Sequence, residues 1–226
     1  MIHVATALAV PFLLLSSVQY SFSQSTFDLL HRMDVSAPLF NSATANIQVI
    51  THTAVIDHDE REVGTLIIKR SEPNKLEFLM SCVGPNARSV ALLDNTVEVY
   101  NPKINSIQPY SLRRYRDIVQ QLMLLGFGMA GSDLASKYEI TNLGSEPIEG
   151  QNSTHLDLVP KSPEVLKQLK RVEVWISSAS GYPIQQKLHQ GGGDYRLVTY
   201  SGVKINPKVS WSALELPKSA KRERVQ

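Results

Sequence analysis

The sequence has few of the side chains from which a function is usually inferred. Cys82 is the only cysteine among 226 residues, so neither an internal disulfide nor a multi-cysteine metal site is possible. The formal net charge is only +2, which is too small to indicate a nucleic-acid-binding protein. Beyond the N-terminus, no apolar run approaches the roughly 20 residues that span a membrane. The hydrophobic share of 42% is instead typical of a soluble globular chain.

The N-terminal segment resembles a secretion signal. Its first 23 residues contain no Lys, Arg, Asp or Glu, and an apolar run extends from Ala5 to Leu15. Ser21-Phe22-Ser23 then supplies a small-x-small pattern, so we predict a signal peptide cleaved after Ser23. A membrane anchor is disfavoured because the run is too short to span a bilayer. Cleavage leaves 203 residues, which we interpret as one domain over residues 24–217 and a basic tail over residues 218–226.

Apolar residues recur at two different periods along the rest of the chain. Helical spacing of Phe27, Leu30 and Met33 predicts a helix that is capped at residue 25 or 26 and ends before Pro38. Alternation then predicts a hairpin with a polar turn at residues 57–60. Later helices are predicted from Ser111 to about residue 125 and, with Ser162 as cap, from residue 163. Short strands are predicted at residues 76–80, 90–93, 97–100, 106–110, 138–143, 154–159, 172–176, 184–188, 195–200 and 211–214.

This order of elements predicts the fold class. Many short strands in meander order, with too few helices to supply parallel crossovers, favour a mainly β fold with some α structure. We therefore predict a single-domain, curved antiparallel sheet that forms an incomplete β-barrel. In this interpretation the helices act as a lid over a hydrophobic cavity, which would accept apolar ligands.

Arg70 is the strongest functional candidate that the pattern alone provides. It ends the run Gly64-Thr65-Leu66-Ile67-Ile68-Lys69-Arg70, where alternation places it on the face of Leu66 and Ile68. Burying an unpaired guanidinium is costly, so we expect hydrogen-bond acceptors at a cavity rim or on a covering element. An edge position from which the side chain reaches water explains the pattern equally well.

Three other patterns lack the context that their usual chemistry requires. Gly126-Phe127-Gly128-Met129-Ala130-Gly131 matches G-x-G-x-x-G, but a predicted helix precedes it where a dinucleotide site needs a strand. We interpret it as a helix exit loop. Asp57-His58-Asp59 is interpreted as a solvated turn, and no residue set has metal-ligand spacing. Arg113-Arg114-Tyr115-Arg116 would suit anionic lipid headgroups, although a charged outer helix face is the favoured interpretation.

Three segments resemble the periplasmic outer-membrane lipoprotein carrier of the LolA type. The run from Gly64 to Arg70, followed by Pro73-Asn74-Lys75, resembles that family's G-x-L-x-x-K-R-P strand. Residues 94–102 are similar to its D-G-x-x-L-W-x-Y-N-P hairpin, and His31-Arg32-Met33-Asp34 is similar to an R-L-D run in its first helix. The shared order of elements covers nearly the whole mature chain. The departures are the inserted Ser71-Glu72, Asn95 at the turn glycine and Glu98 at a usual aromatic.

The resemblance implies a monomeric, non-enzymatic periplasmic carrier that needs no cofactor. Its cavity would receive lipoprotein acyl chains from an inner-membrane ABC-type release complex and pass them to an outer-membrane receptor. Arg70 matches the arginine that holds the lid by hydrogen bonds to backbone groups, and Met33 matches a leucine of the lid helix. We expect the cavity to be lined by Ile47, Val49, Leu66, Ile68, Leu76, Phe78, Met80, Leu122 and Leu125.

Other functions stay open on the sequence alone. A protein of the same fold that senses mislocalised lipoprotein would bind a membrane partner's protein domain instead of shuttling cargo. A carrier of another lipid is a further alternative. A hydrolase is a weaker one, because no G-x-S-x-G elbow is present and a triad would have to assemble in space.

Overall fold

Short helices and 3-10 turns accompany the strands. A computed structural model describes residues 21–72, 75–93, 96–112, 119, 122, 125 and 127–224, with side chains from residue 26 onward. Most of the helix predicted from Ser111 lies outside the described residues. The described helices are α1 (Ser21–Ser36), α2 (Gly131–Lys137) and α3 (Pro163–Gln168), and the 3-10 turns are Ala37–Leu39, Ala54–Ile56, Gly191–Gly193 and Trp211–Leu214.

The strands form one sheet in which most neighbours are also neighbours in the chain. The order across the described sheet is β12-β6-β5-β4-β3-β2-β1-β11-β10-β9-β8-β7, and every pair is antiparallel except β12 with β6. The strand bounds are β1 (Ser42–Thr53), β2 (His58–Glu72), β3 (Lys75–Val83), β4 (Arg88–Leu93), β5 (Thr96–Asn101), β6 (Ser106–Ser111), β7 (Tyr138–Ile148), β8 (Gln151–Pro160), β9 (Arg171–Ser177), β10 (Pro183–His189), β11 (Tyr195–Ile205) and β12 (Lys221–Arg222).

The predicted incomplete barrel is confirmed. Strands β1 to β6 form one meander and β7 to β11 form another, and the β1–β11 pairing joins them. The two outer ends of the described sheet, β7 and the β6–β12 pair, are not paired with each other, so the barrel is open. Gly64 allows part of the curvature, because a Cβ there would lie only 2.1 Å from the Ser81 carbonyl oxygen on β3.

The main hydrophobic core lies on the inner face of this sheet. Alternate residues of the strands point inward, as the period of two predicted, and α1 covers them with Leu29 and Met33. We call the end of the sheet where β1 begins and β2 ends the lid end. Helix α1 crosses it: the side-chain amide of Asn142 on β7 donates to Thr26 Oγ1 at 2.7 Å, and the chain passes from α1 through Ala37–Leu39 into β1.

The C-terminal segment covers the outer face of the first meander. Leu216 packs there against Ala91 and Ile107 in a second, smaller core. Lys221 and Arg222, which belong to the predicted basic tail of residues 218–226, pair with β6 as β12.

The sequence predictions were wrong at three element boundaries. Residues 211–214 form a 3-10 turn instead of a strand, and Leu214 within this turn is fully buried. The β1–β2 turn lies at residues 54–57 instead of 57–60, because Asp57 takes the left-handed conformation and β2 already begins at His58. Helix α1 begins at Ser21, before the predicted cap. The α3 prediction is confirmed, with Val165 N donating to the Ser162 hydroxyl at 3.5 Å.

Candidate functional site

Arg70 links β2 to two segments that cover the lid end. Its Nη2 atom donates to the carbonyl oxygens of Ala37 and Gly128, both at 3.2 Å. The guanidinium carbon also lies 5.6 Å from the centre of the Phe40 ring, a cation–π distance. Burial lowers the pKa of the Arg70 guanidinium, but a group with so high an ordinary pKa stays charged. The charged side chain therefore faces the core side of β2 and has backbone acceptors there.

A second polar side chain holds the same covering segment. Gln186 on β10 is buried on the inner face, and its Nε2 atom donates to the carbonyl oxygen of Leu125. The Tyr200 hydroxyl donates to Gln186 Oε1 at 2.8 Å, and burial raises the pKa of that phenol. Phe127 packs edge-on against the Tyr200 ring with centroids 5.2 Å apart. Leu125 is thus tied to β10 by Gln186, and Gly128 is tied to β2 by Arg70.

Glycine is the only residue type that fits at position 128 without strain. Its φ of +98° is unfavourable for residues with a side chain. A Cβ there would lie 2.6 Å from Arg70 Nη2 and 2.8 Å from Phe40 Cδ1. The glycine therefore lets the backbone approach the guanidinium closely enough to accept its hydrogen bond.

Helices α1 and α2 are joined at Gly131 and Ser132. A Cβ on Gly131 would lie 2.1 Å from the Leu30 carbonyl oxygen, so the two helices meet with no room for a side chain. The Asp34 carboxylate accepts from the Ser132 backbone N–H at 2.9 Å and from its hydroxyl at 2.8 Å. The backbone hydrogen bond, followed by the hydroxyl hydrogen bond, lowers the pKa of Asp34. Two glycines of the G-x-G-x-x-G pattern therefore make close contacts within the lid-end structure.

The predicted cavity residues are gathered on the inner face, where they pack against one another. Met33 belongs to the same core cluster. The most buried of the predicted lining residues expose at most 7% of their surface. Met80 and Leu122 are partly buried against the cluster. The interior is packed where it is described. The seven most buried residues are Ile47, Val49, Leu66, Ile68, Leu76, Phe78 and Leu125.

The far end of the interior, near the β1–β2 turn, is polar. Glu62 on β2 is 7% exposed and accepts two hydrogen bonds from the Arg88 guanidinium on β4, one of them at 2.6 Å. Burial, and next the Glu62 charge, raise the pKa of the neighbouring Cys82 thiol. The apolar interior therefore ends in an ion pair on the side opposite the lid end.

Other candidate features lie outside this region. A pocket of about 600 Å³ lies on the outer face of the central strands, where Asn46, Thr65 and Thr199 line it, and so belongs to the other side of the sheet. In the described part of the chain, no group of three or more His, Cys, Asp or Glu side chains is placed to hold a metal ion. None of the described helices is long and apolar enough to cross a membrane. Arg113, Arg114 and Arg116 lie outside the described residues.

Comparison with known proteins gives the class of fold. No protein-family model matches the chain, and no curated protein sequence matches it significantly. Solved structures match over most of the chain. MucB is 13% identical over 88% of this chain, with a TM-score of 0.53, and the chain spans only 65% of the MucB chain. An uncharacterized conserved protein from Thermus thermophilus is 11% identical, covering 90% and 99% of the two chains with a TM-score of 0.54.

A third solved structure matches at a similar level. The Mycobacterium tuberculosis lipoprotein LppX is 14% identical, covering 83% of this chain and 98% of its own, with a TM-score of 0.50. At identities this low, the structural similarity establishes a shared fold but nothing about a shared activity. The chain therefore shares its fold with these three structures, in agreement with the fold that the sequence resemblance implied.

Sequence reasoning found Arg70 and missed its partners. Ala37, Phe40 and Gly128 were not predicted, because their contacts depend on how distant segments meet. Gln186 was missed although a signal was present: it lies between Ile184 and Leu188 on an apolar strand face, the same pattern that marks Arg70.

Proposed function

We propose that this protein is a non-enzymatic periplasmic carrier that binds the acyl chains of lipoproteins and transfers them from the inner to the outer membrane. Arg70 carries the proposal: it is a charged side chain on the core side of the barrel that holds two covering segments by backbone hydrogen bonds. Removal of the predicted signal peptide after Ser23 would release the protein into the periplasm.

The inner face supports a role in binding acyl chains. The predicted lining residues of the strands present apolar surface beneath α1, and Leu122 and Leu125 pack against the same core. Each buried methylene of a ligand contributes roughly 0.8 kcal/mol, so an acyl chain that displaced this packing would be held strongly. Such a carrier needs a way to release its cargo.

The closed arrangement supplies a driving force for release. The form without cargo is stabilised by the hydrogen bonds of Arg70 and by packing of Met33, which lies on the inner side of α1, against the core. Cargo binding must break them, and cargo release restores them. Arg70 and Met33 would thus act as a latch whose re-formation favours release to an outer-membrane receptor, after loading at an inner-membrane ABC-type complex.

The central experiment replaces Arg70 by Leu. Arg70→Leu destabilises the closed form, so the variant should still accept acylated lipoprotein but transfer it at least roughly tenfold more slowly, given the loss of two charge-assisted hydrogen bonds. Arg61→Leu is a matched control, because Arg61 is an exposed arginine on the same strand near the far end. Transfer is measured between donor membranes and a receptor preparation. Unchanged transfer by Arg70→Leu would remove Arg70 from the mechanism.

Mass spectrometry of material that co-purifies from the periplasm tests the cargo. Acylated lipoprotein is the expected finding. Free lipid without lipoprotein would indicate a carrier of another lipid. Stable capture of a membrane protein's periplasmic domain, with no acyl cargo, would indicate a sensor of the same fold, and hydrolysis of lipid esters would indicate an enzyme.

A further inference from the structure

Gln186 is a polar side chain on an otherwise apolar part of the inner face. It lies on β10, where Leu188 shares its face of the strand. Across the sheet it is paired with Val174 on β9 and with Val198 on β11. Gln186 exposes only 6% of its surface, so water has little access to its amide. A buried amide among apolar neighbours needs hydrogen-bond partners inside the protein.

The Tyr200 hydroxyl fixes the direction in which the Gln186 amide points. This hydroxyl donates to Gln186 Oε1 at 2.8 Å, while Gln186 Nε2 donates to the Leu125 carbonyl oxygen. A rotated amide would place Oε1 against that carbonyl, and two acceptors do not form a hydrogen bond. Burial raises the pKa of the Tyr200 phenol, so the hydroxyl keeps the proton that it donates. The Gln186 amide therefore presents its N–H group to Leu125.

The acceptor of this N–H group belongs to packing that cargo must displace. Leu125 and Phe127 are buried in the inner core, and Phe127 packs edge-on against Tyr200. Under the proposed function, acyl chains take the place of this packing. Displacing Leu125 removes the carbonyl oxygen to which Gln186 donates and leaves a buried N–H among apolar side chains. A site with such a donor favours a ligand that supplies an acceptor over one that does not.

Arg70 is less dependent on such a ligand than Gln186. Its Nη2 atom donates to Ala37 as well as to Gly128, so it keeps one acceptor when the residue 125–128 segment moves. For the Gln186 amide, Leu125 is the only acceptor among the residues that the structure describes. The donor that most needs a replacement acceptor is therefore Gln186.

We propose that Gln186 donates to an acyl carbonyl oxygen of the bound cargo, with Tyr200 as the positioning residue that orients the amide. This inference rests on the proposed function and specifies its ligand. The ligand is an acyl chain joined through an ester or an amide, in preference to an alkyl chain joined through an ether. An acyl carbonyl has the same acceptor chemistry as the Leu125 peptide oxygen that it replaces. The exchange of acceptors offsets part of the cost of opening the closed form.

Matched lysolipids test this preference. Palmitoyl lysophosphatidylcholine carries an ester carbonyl, its hexadecyl ether analogue has none, and an amide-linked analogue restores the carbonyl. Each lipid, kept below the concentration at which it forms micelles, displaces a fluorescent apolar probe from the protein. The ester and amide lipids should bind roughly fivefold or more tightly than the ether lipid, as expected for one hydrogen bond. The ratio of affinities is measured within one protein, so a change in overall stability does not alter it.

A double variant assigns the preference to these two side chains. Gln186→Met, Tyr200→Phe removes both polar groups and nearly conserves side-chain volume. It should bind all three lipids with equal affinity, because its inner face no longer offers the donor. Gln185→Met, Tyr195→Phe is the matched control, with the same changes on the same two strands but on the outer face, and it should keep the preference. Tyr200→Phe alone should reduce the preference, since the amide loses the group that orients it.

The outcomes separate this inference from the proposed function. Equal binding of all three lipids by the unmodified protein overturns the inference and leaves the carrier function standing, because acyl chains then bind without a carbonyl contact. A preference that persists in the inner-face double variant, or that is lost in the control, also overturns the inference. Binding of none of the lipids overturns both. A preference confined to the ester or to the amide lipid supports the inference and identifies the linkage.

Discussion

Arg70 and Gln186 occupy the same kind of position on strands that are separated in the sheet by β1 and β11. Each is a polar side chain among apolar neighbours on an inner face, and each donates to a backbone carbonyl of the residue 125–128 segment. A buried donor left without an acceptor costs about 1 to 3 kcal/mol, so these two residues strongly favour the position that the segment occupies. The position of the segment is therefore fixed by the side chains of Arg70 and Gln186 and by Gly128, which contacts Arg70.

Gly128→Ala tests that contact. The added Cβ meets the Arg70 guanidinium and the Phe40 ring, and positive φ adds backbone strain, so we expect the free energy of unfolding to fall by about 2 to 4 kcal/mol. Gly150→Ala is the matched control, because φ is +74° there but nothing lies within 4 Å of an added Cβ. Urea unfolding measures both variants. Equal losses would show that strain, and not contact with Arg70, explains the Gly128 effect.

The pattern of apolar residues predicted which face Arg70 shares, but it did not predict the contacts of Gly128 or Gly131. Alternation is local, so it assigns Leu66, Ile68 and Arg70 to one face without any knowledge of the fold. The two glycines meet Phe40, Arg70 and Leu30, which are remote in sequence, and a glycine in a short motif gives no information about such neighbours. The predicted helix before the motif argued against a dinucleotide site and for a helix exit loop, whereas the contacts of the two glycines could be read only from the fold.

Helices α1 and α2 act as one covering unit because a carboxylate of one helix bonds the first turn of the other. Asp34 accepts two hydrogen bonds from Ser132, and Gly131 brings the helix backbones together. Helix α2 has only seven residues, so it depends on this joint and on β7 for its stability. Any movement of α1 is therefore expected to involve α2 as well.

Asp34→Asn should weaken the α1–α2 joint in a pH-dependent manner. The pKa of Asp34 is lowered below its ordinary 3.8 in the folded protein, so the ionised carboxylate stabilises the fold above that pH. This contribution is lost as the pH falls through the lowered folded-state pKa. The group is solvent-accessible, so the expected loss at neutral pH is no more than about 1 kcal/mol.

Urea midpoints of the unmodified protein and Asp34→Asn, measured from neutral to strongly acidic pH, check this expectation. The two curves should differ at neutral pH and converge in acid. Asp133→Asn provides a comparison, since that exposed carboxylate lies in the first turn of α2 itself. A difference between the proteins that stays constant with pH would show that the Asp34 charge does not stabilise the joint.

At the scale of the whole molecule, the chain is held by two cores on opposite faces of one sheet. The inner core joins both meanders under α1, whereas the outer core fastens the C-terminal segment across β3 to β6 through Leu216. The sequence predicted the inner core from alternation. It did not predict the outer one, because the apolar outward positions Leu79, Ala91 and Ile107 are sparse among polar neighbours.

Leu216→Ala should destabilise the protein through this outer core. Leu216 is 3% exposed, so truncation leaves a cavity and is expected to cost about 2 to 5 kcal/mol. Leu143→Ala makes the same chemical change at a residue that is 52% exposed, and its cost should be within about 1 kcal/mol. Thermal and urea unfolding distinguish the two, and equal effects would show that the C-terminal segment contributes little to the fold.

The parallel pairing of β12 with β6 also constrains the order in which the protein can be completed. Strand β6 belongs to a meander of local hairpins, and this meander can form as soon as its own residues are available. The outer edge of β6, however, is paired only when Lys221 and Arg222 are present. Those residues are synthesised well after β6. Until the C-terminal segment is made, Leu216 cannot cover Ala91 on β4 and Ile107 on β6, so a partly synthesised chain is expected to expose this apolar outer surface.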